Sequence, residues 1–237
     1  SACCFCRSQR KEKFGTKTKK VIIITPQQHF MIVVVDYGMG NIGSIVNMIK
    51  KAGGESLVTS DPELVAGAGK IIIPGVGAFD NGMKNLREKG LIDVLNKKVL
   101  EEQVPVLGIC LGMQLMARSS EEGVLPGLGW IDAECKKFRF DDNNRLLRIP
   151  HMGWNDVVVK NKEGIFRNMY DEASFYFVHS YHVECRHPED IAATTMYGVE
   201  FTSSLQRSNI FATQFHPEKS HKFGLLLMKN FVEAPYA

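Results

Sequence analysis

Three short apolar runs, Ile32 to Val35, Ile71 to Ile73 and Val104 to Ile109, constrain this chain more than any other feature. A strand with one wet face alternates in polarity, whereas an unbroken apolar run is buried on both faces, as in a parallel sheet covered by helices. Helical stretches separate the runs: Ile42 to Ala52 ending at Gly53-Gly54, a short one after Asp61-Pro62, and Asn81 to Glu102 broken at Gly90. Strand and helix in alternation predict an α/β domain built on a mostly parallel, doubly wound sheet. After Gly129 the character changes. Trp130 to Phe140 and Arg145 to Ile149 flank the turn cluster Asp141-Asp142-Asn143-Asn144, a hairpin pattern that predicts added antiparallel strands. Phe175 to Val178, Ile191 to Met196 and Ile210 to Gln214 read as further strands, and Leu225 to Val232 as a closing helix. No linker or repeat divides residues 31 to 237, so they are expected to form one domain.

Charge separates the first 30 residues from the rest. They hold seven Lys/Arg against Glu12 alone, a net of +6, which leaves −3 on the other 207 residues of a chain whose formal charge is +3. A basic groove for nucleic acid is therefore not expected in the folded part. Residues 1 to 30 read as a basic leader, disordered or non-native, with Met31 as the working start; an organelle transit peptide is the weaker reading. No run approaches the ~18 apolar residues that a membrane helix needs. Of six cysteines, three crowd into Cys3, Cys4 and Cys6, while Cys110, Cys135 and Cys185 lie far apart. That spacing predicts free thiols in a reducing compartment, here the cytoplasm. No second ligand pair completes a zinc site with Cys3-Cys4-x-Cys6, so neither metal nor cofactor is expected.

The residues that carry chemistry begin with Gly108-Ile109-Cys110-Leu111-Gly112, between an apolar run and the helical stretch Met113 to Arg118. This is the pattern of a nucleophile elbow with cysteine in place of serine: the turn is too sharp and too close to its helix for a Cβ at the flanking positions. A helix N-terminus beneath the sulfur favours the thiolate. A base follows in Gln214-Phe215-His216-Pro217-Glu218, where His216 ends a strand and Glu218 accepts from its second ring nitrogen. Oxyanion donors are expected from Leu111, the residue after the nucleophile, and from the turn Pro74-Gly75-Val76-Gly77. Taken singly, Cys110 could be a small buried hydrophobe, the turn a plain turn, and His151, His179 and His182 packed or surface residues.

Together these residues resemble class I, triad-type glutamine amidotransferases, whose elbow cysteine and His-Pro-Glu match Cys110, His216 and Glu218. Among them the chain is most similar to the glutaminase subunits of imidazole glycerol phosphate synthase. Asp36 to Asn41, Pro74 to Phe79, Gly108 to Gln114, Pro150 to Asn155, Phe177 to Tyr181 and Gln214 to Ser220 carry that match, and residues 1 to 30 have no counterpart. The resemblance implies hydrolysis of glutamine to glutamate, with ammonia delivered through a (β/α)₈ barrel cyclase partner to the step that makes imidazole glycerol phosphate in histidine biosynthesis. It also implies that Gly77, Gln114 and Ser180 contact glutamine, that Val76 and Leu111 supply oxyanion donors, and that Asn41 and Trp154 lie towards the partner. Low activity alone, rising with the partner and its nucleotide ligand, is implied too.

Other readings are a glutaminase serving another synthase, a catalytically silent regulatory subunit, and a dinucleotide-binding oxidoreductase. The last rests on Gly38, Gly40 and Gly43, which satisfy Gly-x-Gly-x-x-Gly, with Asp61 near the position of the ribose-binding acid.

Overall fold

The computed structural model describes residues 31–140 and 147–235. Its strands are β1 (Ile32–Val35), β2 (Ser56–Thr59), β3 (Lys70–Ile73), β4 (Val106–Ile109), β5 (Ser119–Ser120), β6 (Ala133–Lys137), β7 (His151–Val159), β8 (Ala173–His179), β9 (Tyr181–Cys185), β10 (Ile191–Tyr197), β11 (Val199–Arg207) and β12 (Ile210–Thr213). The helices are α1 (Ile42–Lys51), α2 (Pro62–Ala66), α3 (Phe79–Glu88), α4 (Leu91–Asn96), α5 (Leu111–Leu115) and α6 (His221–Glu233). The main sheet runs β2-β1-β3-β4-β12-β11-β10-β7-β8. Its first five strands are parallel, and β11, β10, β7 and β8 continue it antiparallel. The α/β fold with helices on both faces and added antiparallel strands is thus present, as a mixed sheet in which the parallel and antiparallel halves are about equal.

Period-two geometry divides the apolar runs between two cores. Val33, Val35, Ile71 and Ile73 face Phe79, Met83, Leu86, Leu91 and Leu95 of α3 and α4. Ile32, Val34, Ile72, Leu107 and Ile109 face Ile45 and Ile49 of α1 and Leu227, Met228 and Phe231 of α6. Every residue of β1, β3, β4 and β12 is buried. Each large aliphatic among them contributes about 1.5–3 kcal/mol by leaving water. Helix ends follow local chemistry. The Asn41 side chain caps α1, Asp61 caps α2 with Pro62 in its first turn, and Gly90 at φ +67° separates α3 from α4.

The described residues do not form the hairpin expected from Trp130 to Ile149. β6 pairs with β5 and β9, and Leu147 to Ile149 form no strand; the cluster Asp141 to Asn144, like residues 1 to 30, lies outside the described residues. β9 takes the place of the expected partner because its Val183 gives buried Cys135 a cross-strand neighbour on the core face. Among the described residues no helix is long and apolar enough to cross a membrane.

Candidate active site

The loops that follow β1, β3, β4 and β12 gather at the carboxyl ends of the parallel strands, beside the point where strand order reverses about β1. Open α/β sheets bind their ligands there. Cys110 sits at the junction of β4 and α5 with φ +53° and ψ −106°, a conformation that costs on the order of 1–3 kcal/mol and marks a forced turn. Its neighbours explain how the turn closes. A Cβ on Gly112 would fall inside the Ile73 carbonyl, and one on Gly108 would come within 2.9 Å of the Gly112 backbone. The Gly-x-Cys-x-Gly pattern is thus a packing requirement that leaves Cys110 buried, at 6% exposure.

The base arrives from the adjacent strand. β12 pairs with β4 so that Thr213 lies opposite Ile109, and the Cys110 N–H donates to the Thr213 carbonyl at 2.8 Å. Two residues beyond Gln214, the His216 ring is buried, with Nδ1 2.8 Å from Glu218 Oε1. Ser220 clamps the backbone here: its hydroxyl donates to the His216 carbonyl at 2.6 Å and accepts from Tyr176 N–H at 3.0 Å. His216 Nε2 is buried without a hydrogen-bond partner. Burial by itself would lower the His216 pKa, but the Cys110 sulfur and the Glu218 carboxylate outweigh it and push it up to about 10. The ring is therefore an imidazolium at neutral pH, with the Glu218 carboxylate on its Nδ1 side.

A glutamine that the motif reading does not single out completes the sulfur's surroundings. Gln214 Nε2 donates to Cys110 Sγ at 3.6 Å, and its Oε1 accepts from Gln114 Nε2 at 3.0 Å. Gln114 Nε2 also donates to the Tyr181 carbonyl at 3.0 Å, so both of its N–H groups are committed. Only its Oε1 is left for a substrate, and that atom accepts: it suits an ammonium or a carboxamide NH₂. Ser180 lies half-buried between β8 and β9, next to Val178, whose carbonyl is 3.9 Å from the Cys110 sulfur.

The turn after β3 lies against the elbow. A Cβ on Gly75 would come 2.6 Å from Leu111 Cβ and 2.8 Å from Gly112 N, while Tyr37 OH donates to the Pro74 carbonyl. Val76, beyond it, is exposed, and Gly77 has φ +124°. As the first residue of α5, Leu111 has no intrahelical acceptor for its N–H. Of the dinucleotide-like pattern, Gly40 and Asp61 have other work. Gly40 packs against Pro74 and Gly75, and the Asp61 carboxylate accepts from Glu63 N–H at 2.9 Å, which spends it as a cap.

His151, His179 and His182 are all buried. Burial lowers all three pKa values, His151 to about 4 and His179 to about 3. In the unfolded chain they titrate near ~6.5, so below that pH the unfolded state binds protons that the native state refuses. Stability from this source is full above a pH of about 6.5 and falls as the pH drops. The slope approaches about 1.4 kcal/mol per pH unit for each of His151 and His179, and His182 acts in the same direction. His216 has the opposite sign, its contribution being lost only as pH rises towards 10, so it does not offset the loss. Urea unfolding between about pH 6.5 and 5 should show the decline; a flat profile would contradict neutral buried rings.

The chain's likeness to known proteins follows the same outline. The family model described as glutamine amidotransferase class-I matches residues 33–234. The chain is 55% identical over 203 residues to imidazole glycerol phosphate synthase subunit HisH 2 of Methanococcus maripaludis, covering 86% of this chain and 99% of that protein. It is 48% identical over 203 residues to the HisH 2 subunit of Pseudomonas aeruginosa, with 86% and 99% covered. Among solved structures, a glutamine amidotransferase superposes with a TM-score of 0.62 at 21% identity, covering 83% of this chain and 98% of that one. PurLQS from Thermotoga maritima gives 0.63 at 16% identity, over 85% and 96%. At such identities these two speak for the fold alone.

Proposed function

Because the chain belongs to the class I glutamine amidotransferases and, within them, to the HisH subunits of imidazole glycerol phosphate synthase, we propose that Cys110, His216 and Glu218 are its triad and that a (β/α)₈ barrel cyclase receives its ammonia. The chain is a glutamine amidotransferase subunit serving histidine biosynthesis. The observation that carries the residue assignment is the register of β4 on β12, which brings an elbow cysteine beside a histidine held by a buried carboxylate.

The chemistry follows from the resting charges. The Cys110 sulfur attacks the carboxamide carbon of glutamine, and the carbonyl oxygen, now negative, takes hydrogen bonds from Leu111 N–H and Val76 N–H. His216 already carries a proton, so it acts first as an acid: it protonates the departing nitrogen, and the C–N bond breaks to give ammonia and a thioester. Neutral His216 then takes a proton from water as that water attacks the thioester. Collapse expels the sulfur and releases glutamate, leaving the proton on His216 for the next cycle. Glu218 keeps the ring oriented and balances its charge throughout. Gly77, Gln114 and Ser180 hold the substrate, Gln114 through the oxygen that its own hydrogen bonds leave open. Exposed Trp154, stacked on His221 at 5.3 Å, and exposed Asn41 lie on the partner side of this reading, which also carries a cytoplasmic location with it.

Glutamate release by the full chain, with and without the barrel cyclase and its nucleotide ligand, tests the proposal. The expected result is slow release alone and a marked rise in the complex. No glutamate in either condition would sink it.

A further inference from the structure

The mechanism leaves unused a row of polar side chains that runs from an exposed strand into the site. Asn155 Nδ2 donates to the Met196 carbonyl at 3.0 Å and meets His151 Nε2 at 3.2 Å. Its Oδ1 accepts from Asp156 N–H, so the amide cannot be turned round. His151 Nδ1 lies 3.0 Å from His179 Nε2, and His179 Nδ1 lies 2.8 Å from the Tyr181 carbonyl. The protons have one arrangement only. A carbonyl accepts, so His179 carries its proton on Nδ1 and accepts at Nε2; His151 must then donate from Nδ1 and accept at Nε2, which Asn155 satisfies. Both ends, fixed independently, demand the same direction.

Aromatic rings wall this row off. His151 stacks between Phe177 at 4.8 Å and Tyr197 at 4.0 Å, and His179 lies 5.3 Å from Phe138 and 5.1 Å from Phe201. Burial keeps both histidines neutral, so no second proton sets donor against donor. In such low-dielectric surroundings a satisfied polar row is rigid, and each missing partner is costly. The Tyr181 carbonyl also accepts from Gln114, which continues through Gln214 to the Cys110 sulfur.

We propose that Asn155, His151 and His179 are positioning residues for the glutaminase reaction, a one-way hydrogen-bond row that fixes the Tyr181 carbonyl and, through Gln114 and Gln214, the Cys110 sulfur. The inference rests on the glutaminase reading for its purpose but not for its geometry. Two variants of the full chain separate hydrogen bonding from packing. His179→Leu removes both ring contacts, whereas His179→Asn retains an N–H for the Tyr181 carbonyl.

His179→Leu should lower both kcat for glutamate release and the rate of Cys110 alkylation by iodoacetamide by about tenfold, the effect of one unmade buried hydrogen bond, and His179→Asn should recover most of each. Equal losses in the two variants, or parent rates in His179→Leu, would overturn the proposal. Long-range ¹H–¹⁵N spectra of the unsubstituted chain provide a second test that needs no variant: both rings should carry Nδ1–H, and Nε2–H on either would overturn it. A parent chain that alkylates and shows these tautomers but releases no glutamate with or without the barrel cyclase would instead condemn the glutaminase reading.

Discussion

Cys110→Ala is expected to lower glutamate release by about 10⁴ to 10⁶-fold, the scale on which triad nucleophiles are lost, while the cyclase supplied with ammonium salt still makes product in the complex. The size of the effect follows from what alanine leaves behind. His216 and Glu218 keep their hydrogen bond and the β4–β12 register is unchanged, so the fold and the partner-facing surface persist. The backbone strain at φ +53° is the same for Ala as for Cys. No electron pair remains, however, to form the thioester. The His216 ring also loses one of the two groups that raise its pKa, so its titration, followed by ring ¹³C or ¹⁵N shifts, should move down from about 10. A variant that hydrolyses glutamine near the parent rate would disprove the assignment of the nucleophile.

The second large effect concerns the turn after β3. From sequence, Gly75 and Gly77 look equivalent: two flanking glycines that let the peptide near Val76 rotate and aim an N–H at the oxyanion, a donor worth about 10²–10³ in rate. The structure makes them unequal. Gly75 is wedged against Leu111, the Gly112 backbone and Tyr37 OH, so Ala there must displace the elbow itself. At Gly77 the nearest atom to a new Cβ is the flexible Met39 methyl, and the cost is chiefly conformational, at φ +124°. Gly75→Ala should therefore depress basal and partner-stimulated glutamate release alike, with a lower unfolding midpoint. Gly77→Ala should depress the stimulated rate by about 10²-fold and the basal rate much less, because it removes one donor only in the state that uses it. Equal fractional losses at Gly77 in both states would remove this turn as the switch.

The parallel half of the molecule is legible in the sequence because strands buried on both faces write themselves as unbroken apolar runs, and β1, β3, β4 and β12 do so. β7, β9 and β11 are not. In β11 the buried stretch includes Thr202, Ser203 and Ser204, polar residues that a hydrophobicity pattern assigns to a surface. β2 is an edge strand of mixed burial, too short to alternate convincingly. The residues of the proposed triad can be read because an elbow and a His-x-Glu are local patterns. Gln214 and the histidine row cannot, since their partners lie up to 104 residues away and no spacing announces them. Ser220 is visible only as part of a motif, whereas its role is to tie His216 to β8 through two backbone contacts.

β12 is the last of the described strands to be made yet lies inside the sheet, slotted between β4 and β11, whose residues all precede it in sequence. On a translating ribosome, with synthesis running from the N-terminus, β4 therefore waits for its neighbour until Ile210–Thr213 has emerged, long after β4 itself. Such non-local pairing is slow to form and leaves β4 with an open edge in the meantime. The same delay has a biochemical consequence. Cys110 follows β4 and His216 follows β12, so a nascent or prematurely terminated chain ending before Ile210 holds the thiol without its histidine. On the proposed triad, nitrogen release therefore waits until synthesis has passed Glu218, and a product that stops short of it holds a thiol with no histidine to protonate the leaving nitrogen.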